Sequence, residues 1–223
     1  MIDRIELDGQ LLAVKVRKGV KAMRLRVDVH GDIVLTLPPR VSEKQATAFL
    51  EANRPFLRRE LARVGRTVLG AFPQNPQTGD KLPWHGGTLV LHMGDVKQAT
   101  LSGNTLYLPS AGALSRWYHA QAAQYLTAFL HDVYARRFAD GAVEFPREVR
   151  VRAMTSRWGS CAPKAGVVTL NTYLLGADDA LIEYVCVHEL THFLHPDHSA
   201  AFYAEMDVRL PNHRALSARL NGK

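Results

Sequence analysis

The chain has 223 residues, 47% hydrophobic and 22% charged, which suits a soluble globular fold and excludes a disordered or fibrous one. Twenty-eight Lys and Arg against 21 Asp and Glu give a net charge of +7 and a pI near 9.6, a balance that favours polyanions without dictating fold. Cys161 and Cys186 are too few for a disulfide framework, no apolar run approaches the roughly 18 residues of a membrane span, and the opening MIDRIELDGQ is too charged for a secretory signal, so a cytoplasmic protein with free thiols and no membrane contact is expected.

The first forty residues read as antiparallel strands. In AMRLRVDV, Met23, Leu25, Val27 and Val29 alternate with Arg24, Arg26 and Asp28, and HGD then turns the chain into IVLTLPP. A helix follows, opened by a capping box of Ser42 and Gln45, with an apolar stripe from Ala46, Phe49 and Leu50 past Pro55 to Phe56, Leu57 and Leu61. Arg54, Arg58, Arg59, Arg63 and Arg66 make its other side basic, a solvated face or a docking face for nucleic acid. Residues 70–80 read as a loop. Two hairpins come next, LPWHGGTLVLHM turning at Gly86-Gly87 and ATLSGNTLYLP turning at Ser102-Gly103-Asn104. No internal repeat is evident.

From Ser115 a long amphipathic helix carries Tyr118, Ala122, Tyr125, Leu126, Phe129 and Val133, and Gly141 ends it. Two strand-like runs, EVRVRAMTS and GVVTLNTYL, flank RWGSCAPKA. A helix capped by Asp178 or Asp179 then leads into VHELTHFLHPDHS, which holds four of the ten histidines.

H-E-x-x-H arises by chance about 0.02 times in a chain of this composition, so accident is a poor explanation. LIEYVCV, Leu181 to Val187, is apolar nearly all round, as in a helix buried in a core. On that helix His188 and His192 are four residues apart and point at one spot, while Glu189 sits roughly 60° round from His192, where it reaches a metal-bound water as general base. A catalytic zinc needs a third ligand. Pro196 disfavours helix at His195 and forces a turn, so His198 is favoured over His195, with Ser199 capping the helix AAFYAEMDVRL. Cys186 falls on another face and reads as structural.

H-E-L-x-H with a third His and S-x-x-F beyond it, preceded by RWGSC and LNTYL, resembles the YgjP-like metallopeptidase family, itself related to the WLM and SprT-like zinc proteases. LTLPPRVSEKQATAFL and GDKLPWHGGTLVL carry the resemblance over most of the chain. It implies His188, His192 and His198 as zinc ligands, Glu189 as catalytic acid/base, and a peptide or protein substrate. The family commonly has Asn where Asp197 stands; Asp197 is suited to accept a hydrogen bond from a ligand imidazole.

RWGSC is read physically. Trp158 and Ser160 are expected in the cleft wall, Arg157 to hold a carboxylate or phosphate, and Asn171 or Tyr173 to donate to an oxyanion, unless these residues serve packing. Two rival readings stay open: a metal-dependent nucleoside triphosphate pyrophosphohydrolase or phosphohydrolase, and a nucleic-acid-associated SprT-like protease docked by its basic helix. The fold expected is α+β: a β-rich amino-terminal part with one basic helical segment over residues 1–110, then a zincin-like part over 111–223 with a small antiparallel sheet and the HExxH helix, whether as two domains or one.

Overall fold

The computed structural model describes residues 4–7, 10–27, 33–64, 72–73, 75–154 and 157–221. The HGD turn at 30–32, Arg66 and parts of the 70–80 loop lie outside them. Contacts divide the chain into two compact units, residues 1–66 and 67–223.

In the first unit, β1 (Arg4–Leu7) and β2 (Gln10–Val16) form one antiparallel hairpin, and β3 (Arg24–Val27) and β4 (Ile33–Leu37) pair antiparallel as another. The two join through β2 and β4, which run parallel, giving the order β1-β2-β4-β3. The expectation of purely antiparallel strands fails at this central pair. Alternation in IVLTL decides the faces: Ile33, Leu35 and Leu37, with Ile5, Leu12 and Val27, are buried against Ala46 and Leu50 of α1 (Glu43–Ala52) and Leu57 of α2 (Arg54–Val64). The Ser42 and Gln45 capping box is present, with Gln45 N–H donating to Ser42 Oγ at 3.3 Å and Ser42 N–H to Gln45 Oε1 at 2.9 Å. Asn53 ends α1 and Pro55 enters the first turn of α2, so the expected single stripe is split over two helices.

The second unit opens with the same topology. β5 (Lys81–Trp84) and β6 (Gly87–Met93), then β7 (Thr100–Ser102) and β8 (Thr105–Leu108), form two antiparallel pairs joined by parallel β6 and β8, in the order β5-β6-β8-β7. This is an internal repeat that the sequence conceals, because pairing and alternation recur while residue identities do not. The first hairpin turns at His85-Gly86, one residue earlier than expected, with both φ positive at 44° and 76°. Leu82, Leu89, Leu91, Leu106 and Leu108 share a buried cluster with the helices that follow, so the core does not divide near residue 110.

α3 (Ala111–Arg137) runs 27 residues and ends at the Phe138 cap, ahead of Gly141. It lies against β9 (Glu148–Arg152) and α4 (Asp179–Thr191), the helix that contains the H-E-L-T-H stretch up to Thr191. The small sheet orders β10 (Gly159–Ala162), β11 (Val167–Asn171) and β9 as β10-β11-β9. It is mixed rather than antiparallel: β10 reverses the chain inside RWGSC, so β11 pairs antiparallel with β10 and parallel with β9. α5 (Ala200–Arg209) and α6 (His213–Leu220) complete the unit, which is α+β as expected. Among the described residues no helix is long and apolar enough to cross a membrane.

Candidate metal centre

α4 is apolar on nearly every side because most of it is packed: Leu181, Ile182, Cys186, Val187 and Leu190 are fully buried. Its first turn is fastened from three directions. Asp178 accepts from Leu181 N–H at 3.1 Å and pairs with Arg219 of α6 at 2.6 Å, while Tyr125 of α3 donates to Asp179 at 2.6 Å. A helix held in this way delivers its last turn, and His188, Glu189 and His192 with it, to a fixed place.

Beyond His192 the chain tightens through Phe193 N–H to Leu190 O and His195 N–H to Thr191 O, then meets Pro196 and turns back. The turn returns His198 to α4. One ring nitrogen from each of His188, His192 and His198 lies within 4.8 Å of the others, and the Nε2 atoms of His188 and His198 are 3.0 Å apart. Phe202 of α5, fully buried, forms the floor, its ring centroid 4.7–4.9 Å from all three imidazoles. His192 Nδ1 lies 3.1 Å from the His195 carbonyl, so it carries the proton and leaves Nε2 with its lone pair. His195 thus contributes its backbone, not its ring. Burial, reinforced by His192, His198 and His213, pushes the His188 pKa down to about 3, which keeps that imidazole neutral.

Glu189 is buried beside the triad, and burial raises its pKa to about 8 against the opposing pull of Arg157. Its carboxyl packs on Gly159, where a Cβ would lie 2.5 Å from Oε1 and 2.7 Å from Cγ. Gly159 is not in the left-handed region. The glycine of RWGSC therefore serves close approach rather than flexibility, a role its sequence context does not announce.

Around these groups opens a cleft of about 390 Å³, with β10, the free edge of its sheet, on one side and α4 on the other. Arg157, Trp158 and Ser160 line it, as do His188, Glu189, His192 and His198. Tyr184 and Cys161 line it too and were not anticipated; Tyr184 sits one turn before His188, 5.9 Å between ring centroids. The Cys161 thiol is pushed up to about 12 by burial and by Glu189, so it stays protonated.

Asn171 and Tyr173 are not brought to the cleft wall. Asn171 is fully buried and spends its amide on backbone, donating to Met154 O and Arg157 O and accepting from Met154 N–H and Tyr173 N–H. It clamps the segment that leads into β10. Tyr173 packs against Phe72 and Tyr118. Asp197 accepts from Ser199 N–H at 3.3 Å rather than from an imidazole, and Ser199 stands at the head of α5 without a side-chain cap bond.

Three imidazole nitrogen donors with no oxygen among them suit a borderline ion such as zinc and are unlike the all-oxygen shells of magnesium or calcium. With the open cleft beside them, they leave room for a fourth ligand. A model of the YgjP-like metallopeptidase domain matches residues 21–223. The chain belongs to the YgjP-like family. Membership makes it a metallopeptidase domain, a hydrolase of peptide or protein that works with a divalent metal. Two solved structures are similar over part of the chain. The metallopeptidase zymogen of Pyrococcus abyssi abylysin is 21% identical, with a TM-score of 0.37 over 43% of this chain and 90% of that one. The zymogen of Methanocaldococcus jannaschii jannalysin is 17% identical, with a TM-score of 0.35 over 43% and 92%. No curated protein matches.

Proposed function

We propose that the chain is a zinc-dependent peptidase in which His188, His192 and His198 hold the metal and Glu189 is the general base. The observation that carries this reading is the convergence of three imidazole nitrogens within 4.8 Å at a cleft whose wall contains a buried carboxyl. Zinc so held supplies Lewis acidity and brings the pKa of a bound water to about 7.

The chain's own residues do the rest. Glu189, aimed by Gly159, takes the proton of the attacking water and passes it to the leaving amine. Its buried carboxyl favours the protonated form when alone, and a cation in the triad pulls it back toward carboxylate. An extended peptide pairs with the free edge of β10, and Trp158 offers it an apolar surface. Arg157 stands at the same wall to receive a substrate carboxylate. The part expected of Asn171 or Tyr173 passes to Tyr184, which lines the cleft one turn before His188 and whose hydroxyl, bonded to Ser217, is a donor suited to developing oxyanion charge. A nucleoside triphosphate needs converging cations, and among the described lining residues Arg157 is the one Lys or Arg, which favours the peptide.

The test pairs elemental analysis with turnover for wild type, His198→Ala and Glu189→Gln, each offered casein-derived peptides and nucleoside triphosphates. About one zinc per chain is expected in wild type and Glu189→Gln, much less in His198→Ala, and peptide hydrolysis in wild type alone. A wild type that cannot be loaded with zinc, or that hydrolyses triphosphates and not peptides, overturns the proposal.

A further inference from the structure

The surplus charge is not spread over the molecule. Residues 1–66 hold fourteen Lys and Arg against eight Asp and Glu, a net +6, whereas residues 67–223 hold fourteen against thirteen, a net +1. Within the first unit the cations concentrate in KVRKGVKAMRLR, residues 15–26, where Lys15, Arg17, Lys18, Lys21, Arg24 and Arg26 occur with no acid between them. All six are exposed, and none pairs with a carboxylate among the described residues. On α2, by comparison, Arg54 is bound to Glu51 and Arg59 lies 4.0 Å from Glu60, while Arg58 is exposed without a carboxylate partner among the described residues.

Strand register turns this run into a surface. Lys15 and Arg24 both oppose Thr36, one from each side, and Arg26 opposes Val34. Leu35 and Leu37 face the helices, so Val34 and Thr36, and with them Lys15, Arg24 and Arg26, occupy the opposite face of the sheet. Arg24 and Arg26 are about 6.8 Å apart along β3, and Lys15 is about 9.6 Å across the sheet from Arg24. Arg17, Lys18 and Lys21 extend the row into the loop from β2 to β3. Charge on an exposed edge strand also discourages strand-to-strand aggregation, which accounts for Arg24 and Arg26. It does not account for Lys15 on an interior strand or for the three cations of the loop.

We infer that this sheet face binds the phosphate backbone of duplex nucleic acid without regard to sequence. A cluster of cations with no carboxylate partner among the described residues matches a run of phosphates, and among the described residues the face carries no aromatic side chain to stack on unpaired bases. The surface differs from the basic helix expected from sequence and does not depend on the metal centre.

The experiment is fluorescence anisotropy of a labelled DNA duplex with the full chain across a salt series. Six phosphate contacts give a slope of about −5 in log K against log salt, or an affinity loss of about 10³-fold between 50 and 200 mM. The triple variant Lys15→Gln/Arg24→Gln/Arg26→Gln is expected to bring the slope to about −3 and that loss to about 40-fold. Thr36→Glu, which sets an anion between Lys15 and Arg24, should weaken binding in the same direction, whereas Arg58→Gln/Arg59→Gln should leave the slope nearly unchanged. No binding at 50 mM salt, an unchanged slope in folded triple variant, or capture by phosphatidylserine vesicles in preference to the duplex overturns the inference.

Discussion

Both units begin with the same pair of hairpins and the same parallel central pairing, yet they put the four strands to different use. In the second unit Leu89, Leu91, Leu106 and Leu108 bind the sheet into the core that carries α4. In the first, one face closes on two short helices and the other is left to Lys15, Arg24 and Arg26. Topology sets which residues share a face; the side chains placed there decide whether that face becomes scaffold or contact surface.

The comparison separates most sharply in catalysis. Glu189→Gln should lower kcat for peptide by about 10²- to 10⁴-fold with zinc content retained, while the triple variant of the cationic face leaves kcat within about twofold. Stopped assays under saturating peptide read both, and a comparable drop in the two variants would erase the distinction between the units. Core truncation sharpens it further. Phe202→Ala should cost about 3–5 kcal/mol by thermal denaturation and also reduce zinc content, because the ring floors all three imidazoles. Leu50→Ala in the first unit should cost about 2–5 kcal/mol with zinc content unchanged.

Two glycines give a finer contrast. At Gly159→Ala the new methyl displaces the Glu189 carboxyl, so kcat should fall about tenfold or more while zinc stays bound. At Gly19 the φ is +88° and nothing lies within 4 Å, so Gly19→Ala should cost about 1–2 kcal/mol of backbone strain and no activity. The smallest effect concerns Glu183 on α4. Burial pushes its carboxyl up, but hydrogen bonds from Arg137 and Arg136 outweigh that and hold its pKa below the ordinary 4.5. A depressed acid stabilises the fold above pH 4.5 and loses that contribution as pH falls through its folded value. Glu183→Gln should therefore cost about 1–2 kcal/mol at pH 7, with the gap to wild type closing below pH 4 in denaturant titrations.

Much of this was legible from the residues. Period-two alternation marked Leu25 and Val27 against Arg24 and Arg26, and helical spacing joined His188 to His192, because both signals are local. Pro196 pointed to the turn that returns His198. What stayed hidden depended on contacts distant in sequence. No local pattern states that β2 pairs parallel with β4, or β9 with β11, since the partners are chosen by the whole sheet. β10 escaped notice because its four residues are all partly exposed and show no alternation of burial. Asn171 looked like an oxyanion donor because its amide offers donors, and the sequence does not tell that four backbone partners use them up. Tyr184 lies within an apolar run of α4, and nothing in that local pattern tells that it also lines the cleft.

Phe202 has a further consequence for assembly. A single phenyl ring supports three imidazoles contributed by α4 and by the turn after it, and that ring belongs to α5. Docking of α5 and closure of the triad are therefore one thermodynamic event, and any ion that prefers the closed triad lends its binding energy to α5. In hydrogen exchange, amides of residues 200–209 should become protected as zinc is titrated in, while those of 111–137 hold steady. Zinc here would be part of the folding equilibrium as well as of the chemistry.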